Sequence, residues 1–293
     1  MQDIIQTCTT FQYLNFIHLH SLTSKGSTLS FYQTMDLALP IWQYPALKLM
    51  LNQWRHLHML KQGGRVHDPN PRCIKETKAA ELAIKCPSCP RPGINLPKIY
   101  LNAPPEDQFL DRSMLAMDAN FHLKNQLILS WTRDLGMGVR SAYFVEKAGY
   151  EKYVKSRMIT IYVGFAALAK AATKYISCTR MDVITAVGNL EKGERYNIAC
   201  QWFPLHGQKD HQEYSFNIIP GVGSTDGEGL ERIWAAHNPL ATSTKPMAPA
   251  TRLLVLDDNF GFWNWLKYTG HALGISLEDD QYVFSFYLTN SKY

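Results

Sequence analysis

Four acidic residues occupy positions from which a phosphoryl-transfer centre could draw. Asp118 closes the apolar run Met114–Met117, and Asp226, Glu228 and Glu231 cluster at the mouth of an expected helix. Mg²⁺ is a hard cation that takes oxygen ligands at about 2.0–2.1 Å. Two such ions about 3.5–4 Å apart clamp the attacking and leaving oxygens, and carboxylates from separate elements hold them there. The same spacing also suits Asp226 as a helix cap, with Glu228 and Glu231 as a solvated i,i+3 pair. Spacing alone leaves both readings open.

Cys86-Pro-Ser-Cys89 places two thiols on one turn, which is half of a tetrahedral Zn²⁺ site. Cys73 or His67 could supply more, and Cys200, His206 and His211 form a weaker cluster. Two ordinary thiols in a proline-rich turn fit the spacing equally. The glycine-dense loop 220–229 is neither of the two common phosphate-cradling patterns and is not followed by Lys, so it does not read as a nucleotide loop. Trp263 and Trp265 suit core anchors, or a surface on which bases stack.

The chain has 293 residues, 46% hydrophobic and 19% charged, a composition able to bury a sizeable core. No run of 18 apolar residues occurs, so no membrane span is expected. Met1–Gln6 lack the basic start and apolar stretch of a secretory signal, and six cysteines fit a reduced, intracellular protein. The net charge of +5 is too mild to imply nucleic acid by itself. Residues 41–80 nevertheless hold seven bases against two acids, which is the whole surplus. Within them Lys48, Arg55, Lys61 and Arg65 are the candidate contacts to a phosphate backbone, a solvated helix face being the alternative.

These side chains need elements to position them. Pro45 and Gly63-Gly64 bound a helix in which Leu47, Met50, Leu51, Trp54 and Leu57 share one face, with Lys48, Asn52, Arg55 and Gln62 beside it. Pro- and Gly-rich loops follow, from 65 to 71 and again from 87 to 97. Short buried strands are expected at Met114–Met117 and Ala142–Val145, a helix within the alanine-rich 151–177, and another at Leu230–Ala236. The resulting division is a mainly helical region over 1–85, a second region over 86–275, and a tail over 276–293.

Several motifs then occur together and in order: CPSCPRPGINLP (86–97), FLDRSMLAMDANFHLKN (109–125), AYFVE (142–146), GFAALAKAATKY (164–175), VGNLEKGERY (187–196), NIACQW (197–202), YSFNIIPGVGSTDGEGLERIWAAHNP (214–239) and LDDNFGFWNW (256–265). This set resembles the Kyakuja–Dileera–Zisupton (KDZ) transposases, which are abundant in fungal genomes. WRHLHMLKQGGRVHDP (54–69) is similar to the segment that follows a CxC2-like cysteine cluster in associated proteins, although the full cluster is absent here.

The resemblance implies an α/β fold with an RNase H-like core that cuts and joins DNA at transposon ends in the nucleus. Its acidic triad would hold Mg²⁺ or Mn²⁺, with Asp118 first, the second acid at position 197, and Glu228 or Glu231 last. The second family acid lies in a Tyr-Asp-Ile-Ala-Cys-Gln-Trp motif, and this chain has Asn197 there. Arg195-Tyr196 also runs straight into Asn197, where the family carries a further segment, and a second family stretch is absent between Trp202 and Leu205. A truncated, degenerate copy with an incomplete core is the expectation. Its function would be impaired strand cleavage and transfer, or alternatively non-catalytic binding of DNA or protein.

Overall fold

The computed structural model describes residues 8–36, 44–69, 74–96, 115–120, 173–178, 183–184 and 229–273, together with positions 98, 102–104, 107, 122–123, 136–137 and 141–144. These residues belong to two compact units, each assembled from non-contiguous stretches. The first takes 1–84, 121–173 and 237–262, and the second takes 85–120, 174–236 and 263–293.

The first unit is built on helices α1 (Phe11–Ser24), α2 (Thr28–Asp36) and α3 (Tyr44–Gln62). Thr10 caps α1 through its side-chain oxygen, which accepts from the Tyr13 N–H at 3.2 Å. The helix ends at Lys25, whose φ of 57° is left-handed and uncommon for a residue with a Cβ. Leu14, Ile17, Phe31, Tyr32, Leu47 and Leu51 form the core of this three-helix assembly. α3 stops where the sequence expects, and its end explains both glycines. A Cβ on Gly63 would sit 2.9 Å from the Leu82 side chain, and Gly64 has a φ of +77° that glycine adopts without steric cost. Leu57, expected on the buried face, is half exposed. The inward face is instead shared by Leu47, Leu51, Asn52, Arg55, Met59 and Leu60.

The second unit contains strands β1 (Leu115–Asn120), β2 (Thr173–Cys178) and β3 (Val183–Ile184), in the spatial order β1-β2-β3. β2 pairs antiparallel with β3 through Ser177–Ile184 and Cys178–Val183. The strand expected before Asp118 is present as β1. Of the helix expected over 151–177, residues 151–172 lie outside the described residues, and the remainder is strand: Thr173, Tyr175 and Ile176, β-branched or aromatic, belong to β2. The run expected as a strand at Ala142–Val145 is a bend at Ala142 and Tyr143, both buried.

Helices α4 (Gly229–His237), α5 (Leu240–Thr244) and α6 (Pro249–Leu273) complete the described elements. α6 is the longest, at 25 residues. Leu254, Val255, Leu256, Phe260 and Phe262 are all buried within it, as in a helix surrounded by core rather than lying on a surface.

The expected α/β fold with an RNase H-like core is overturned. The described residues are predominantly helical, with six α-helices against strands of six, six and two residues. A pairing of two residue pairs between β2 and β3 is not the long central sheet such a core requires. The 276–293 tail lies outside the described residues.

Candidate functional site

The most developed polar arrangement is a buried ionic cluster in the first unit, placed there by α1, α3 and the first half of α6. Asp258 of α6 accepts from His18 of α1, whose Nε2 is 2.9 Å from both carboxylate oxygens. An ionised carboxylate has no proton to donate, so the His18 proton sits on Nε2. Arg55 of α3 brings Nε to 3.3 Å from Asp258 Oδ2, an ion pair outside hydrogen-bond geometry. Its Nη1 donates to Asn52 Oδ1 at 3.2 Å and its Nη2 to Ser21 Oγ at 3.1 Å. His58, one turn beyond Arg55, has its ring 4.9 Å from that of His18.

The neighbouring residues of α6 carry further contacts. Asp257 Oδ1 accepts from the Tyr143 backbone N–H at 2.9 Å, and Tyr143 Oη accepts from the Ile84 N–H at 3.1 Å. Asn259 Oδ1 accepts from Lys25 Nζ at 3.0 Å, and the Lys25 carbonyl accepts from Ser243 Oγ at 3.0 Å. These bonds hold Lys25 in its left-handed conformation. Three consecutive polar residues of one helix therefore tie three separate segments to it.

Burial and charge together set the protonation states. Burial would raise the Asp258 carboxyl, but His18, Arg55 and His58 together hold it below its ordinary value. Asp257 has no such cation. Burial, opposed by the Tyr143 N–H and reinforced by Asp258, pushes it up to about 7. Burial and the nearby His18 bring His58 down to about 4. Burial likewise lowers Lys25 to about 8, against the pull of Asp258. His18, Arg55 and Asp258 are each no more than 6% exposed, so the cluster fastens helices together and does not face a substrate.

The residues singled out from the sequence are placed elsewhere. Asp118 lies on β1 and Glu231 is an exposed residue in the first turn of α4, both in the second unit. Asn197, Asp226, Glu228, Cys73, Cys200, His206 and His211 lie outside the described residues. Among the described residues no three His, Cys, Asp or Glu side chains are grouped to hold a metal ion. Asp118 and Glu231 offer the oxygen donors that Mg²⁺ or Mn²⁺ prefers, but two carboxylates do not make the implied triad, and no metal-dependent step is derived from them.

Cys86 is buried and Cys89 half-buried, and neither is in a disulfide. Asn95 organises their turn: its Nδ2 donates to the Pro87 carbonyl at 3.1 Å and the Cys89 carbonyl at 2.8 Å, and its Oδ1 accepts from the Arg91 N–H at 2.6 Å. Should Zn²⁺ bind, these two thiolates would supply two of its four ligands.

Of the four basic residues expected at DNA, Lys61 is exposed and Lys48 half-buried. Arg65 donates to Asp68 at 2.8 Å. Arg55 must be corrected: at 3% exposed and committed to Asp258, Ser21 and Asn52, it does not reach a phosphate. The reading from sequence missed His18 and Asp258 as partners. A signal was present, since two adjacent aspartates inside an apolar run cannot both face solvent-free core without a cation or donor.

Among the described residues no helix is long and apolar enough to cross a membrane. No curated protein and no solved structure matches the chain. The family model described as Kyakuja-Dileera-Zisupton transposase matches residues 200–264, a stretch that includes Glu231 and the aspartate pair of α6. Over residues 200–264 the chain is similar to the KDZ transposases.

Proposed function

We propose that this chain is a transposon-derived, DNA-binding protein of the KDZ type in which strand cleavage and transfer are impaired. The KDZ match over residues 200–264 supports a transposase-like function. The observation that carries the impairment is Asn197, at the position where the resembling motif has aspartate. A carboxamide keeps one oxygen for a metal but loses the negative charge that holds and dehydrates a divalent ion. The implied Mg²⁺ or Mn²⁺ would need a third carboxylate, and position 197 does not supply it. The surplus of positive charge within 41–80 supports DNA as the partner and, with it, a nuclear setting.

Two measurements test the reading. Purified protein with duplex DNA and Mg²⁺ or Mn²⁺ should leave the DNA intact; cleavage that disappears in Asp118→Ala overturns the impairment. Fluorescence anisotropy should show DNA affinity falling steeply as salt rises, whereas no affinity even at low salt overturns the DNA reading.

A further inference from the structure

Lys25 ends α1 in the left-handed conformation and turns its side chain onto α6. It is half-buried and follows the exposed Thr23 and Ser24, so the residue keeps part of its surface in water. Its Nζ donates to Asn259 Oδ1 at 3.0 Å and lies 5.8 Å from the centre of the Phe262 ring, both on α6. An ammonium has three hydrogens to place, and the amide oxygen takes one. Among the described residues no carboxylate forms an ion pair with it. The carboxylate that does act on it, Asp258, is already engaged by His18 of α1 and Arg55 of α3. The contact with α5, from Ser243 Oγ to the Lys25 carbonyl, is uncharged.

A cation withdrawn from water without an anion of its own is unfavourable, and a lysine relieves this by giving up its proton. Burial accordingly brings Lys25 down to about 8, against the pull of Asp258. An ordinary lysine, at about 10.4, is almost wholly protonated at neutral pH and is then a poor nucleophile. Lys25 has its lone pair available in a far larger share of molecules. The surroundings also select the reagent. Acylation turns the amine into a neutral amide that keeps one N–H for Asn259 Oδ1, whereas alkylation retains the charge that this site leaves uncompensated.

We infer that Lys25, held between Asn259 and Phe262, is an acylation site that reacts with activated acyl donors of the thioester class. The neutral Nζ attacks the thioester carbonyl carbon, and the C–N bond forms as the C–S bond breaks. The departing sulfur leaves as thiolate and takes up the proton that the nitrogen sheds. The inference goes beyond DNA binding and does not depend on it.

The experiment exposes the full chain to acetyl coenzyme A across a pH series, once in buffer and once unfolded in guanidinium chloride. Mass spectrometry of the peptide carrying Lys25 gives the rate at that residue. In the folded chain the rate should level off above about pH 8, whereas in the unfolded chain it should keep rising beyond about pH 10. At pH 7.5 the folded chain should react at Lys25 about tenfold faster or more. Asn259→Asp places a carboxylate at Nζ without closing the site, and should slow Lys25 at pH 7.5 by about tenfold or more while circular dichroism stays native. One pH profile shared by folded and unfolded chains, or reaction of Lys25 only after unfolding, overturns the inference. So does a folded Asn259→Asp variant that reacts as fast as wild type. Should that variant fail to fold, the two wild-type profiles decide alone.

Discussion

Asp257 and Asp258 are adjacent, equally buried and oppositely treated by their surroundings. Asp258 meets His18 and Arg55, whereas Asp257 meets one backbone N–H. The stability consequences have opposite signs. Asp257 rises in the fold from its ordinary value to about 7, so its contribution is full below about pH 4 and is lost as pH climbs towards 7. His58 falls to about 4, so its contribution is present above about pH 6.5 and is lost as pH drops towards 4. Between pH 4 and 6.5 the two slopes oppose each other. Asp257→Asn keeps an oxygen for the Tyr143 N–H and removes one slope. Unfolding free energies from urea titrations of this variant should rise with pH from 4.5 to 6.5 and exceed wild type at pH 7.5 by on the order of 1 kcal/mol or more. A variant curve parallel to wild type would remove Asp257 from the account. The aspartate pair itself could be read as acids embedded in apolar sequence, but their unequal fates could not. Partners between 114 and 240 residues away in the sequence decide them.

At the scale of elements, local signals succeeded where one side of a helix or strand decides the outcome. The Leu47–Leu51 spacing and the Gly63-Gly64 stop delimited α3, Leu230 and Ile233 marked α4, and the apolar run before Asp118 marked β1. They failed at β2, where alanines just upstream favour helix while the residues that follow pair as strand. They also failed to show which polar residues of α3 turn inward, because periodicity cannot distinguish a solvated Arg55 from one with a buried counter-ion. The family resemblance misled on architecture for a related reason: shared motifs specify side chains more tightly than they specify a complete sheet. The α3 terminus gives a direct test. Gly63→Ala brings a methyl within 2.9 Å of Leu82 and should cost about 1–3 kcal/mol in chemical denaturation. The exposed Gly64, with nothing within 4 Å of its ideal Cβ, has no such crowding. In a double-mutant cycle Leu82→Ala should cost less in the Gly63→Ala background than in wild type, the crowding that remains coming from the Leu82 Cα and the Met59 carbonyl.

Across the whole molecule, formal charge and presented charge differ. The surplus of +5 resides in residues 41–80, yet Arg55 is internal and Arg65 is engaged by Asp68. A substitution at Arg55 therefore acts through the fold. Arg55→Gln leaves Asp258 buried without its guanidinium and should cost about 3–5 kcal/mol of stability. At temperatures where the variant remains folded by circular dichroism, its DNA affinity and salt slope should match wild type. A reduced salt slope in the folded variant would place Arg55 at the DNA after all.

The same ion pair has a bearing on how the polypeptide matures. A ribosome releases His18 and Arg55 long before it polymerises Asp258, so the early helices emerge with their cationic interior uncompensated. Until the late anion arrives, those helices have reason to stay loosely associated, and the lock closes only when nearly all of unit one has been synthesised. Any shortened product ending ahead of α6 would keep the lysines and aromatic rings of the N-terminal helices but lack the residue that neutralises their centre.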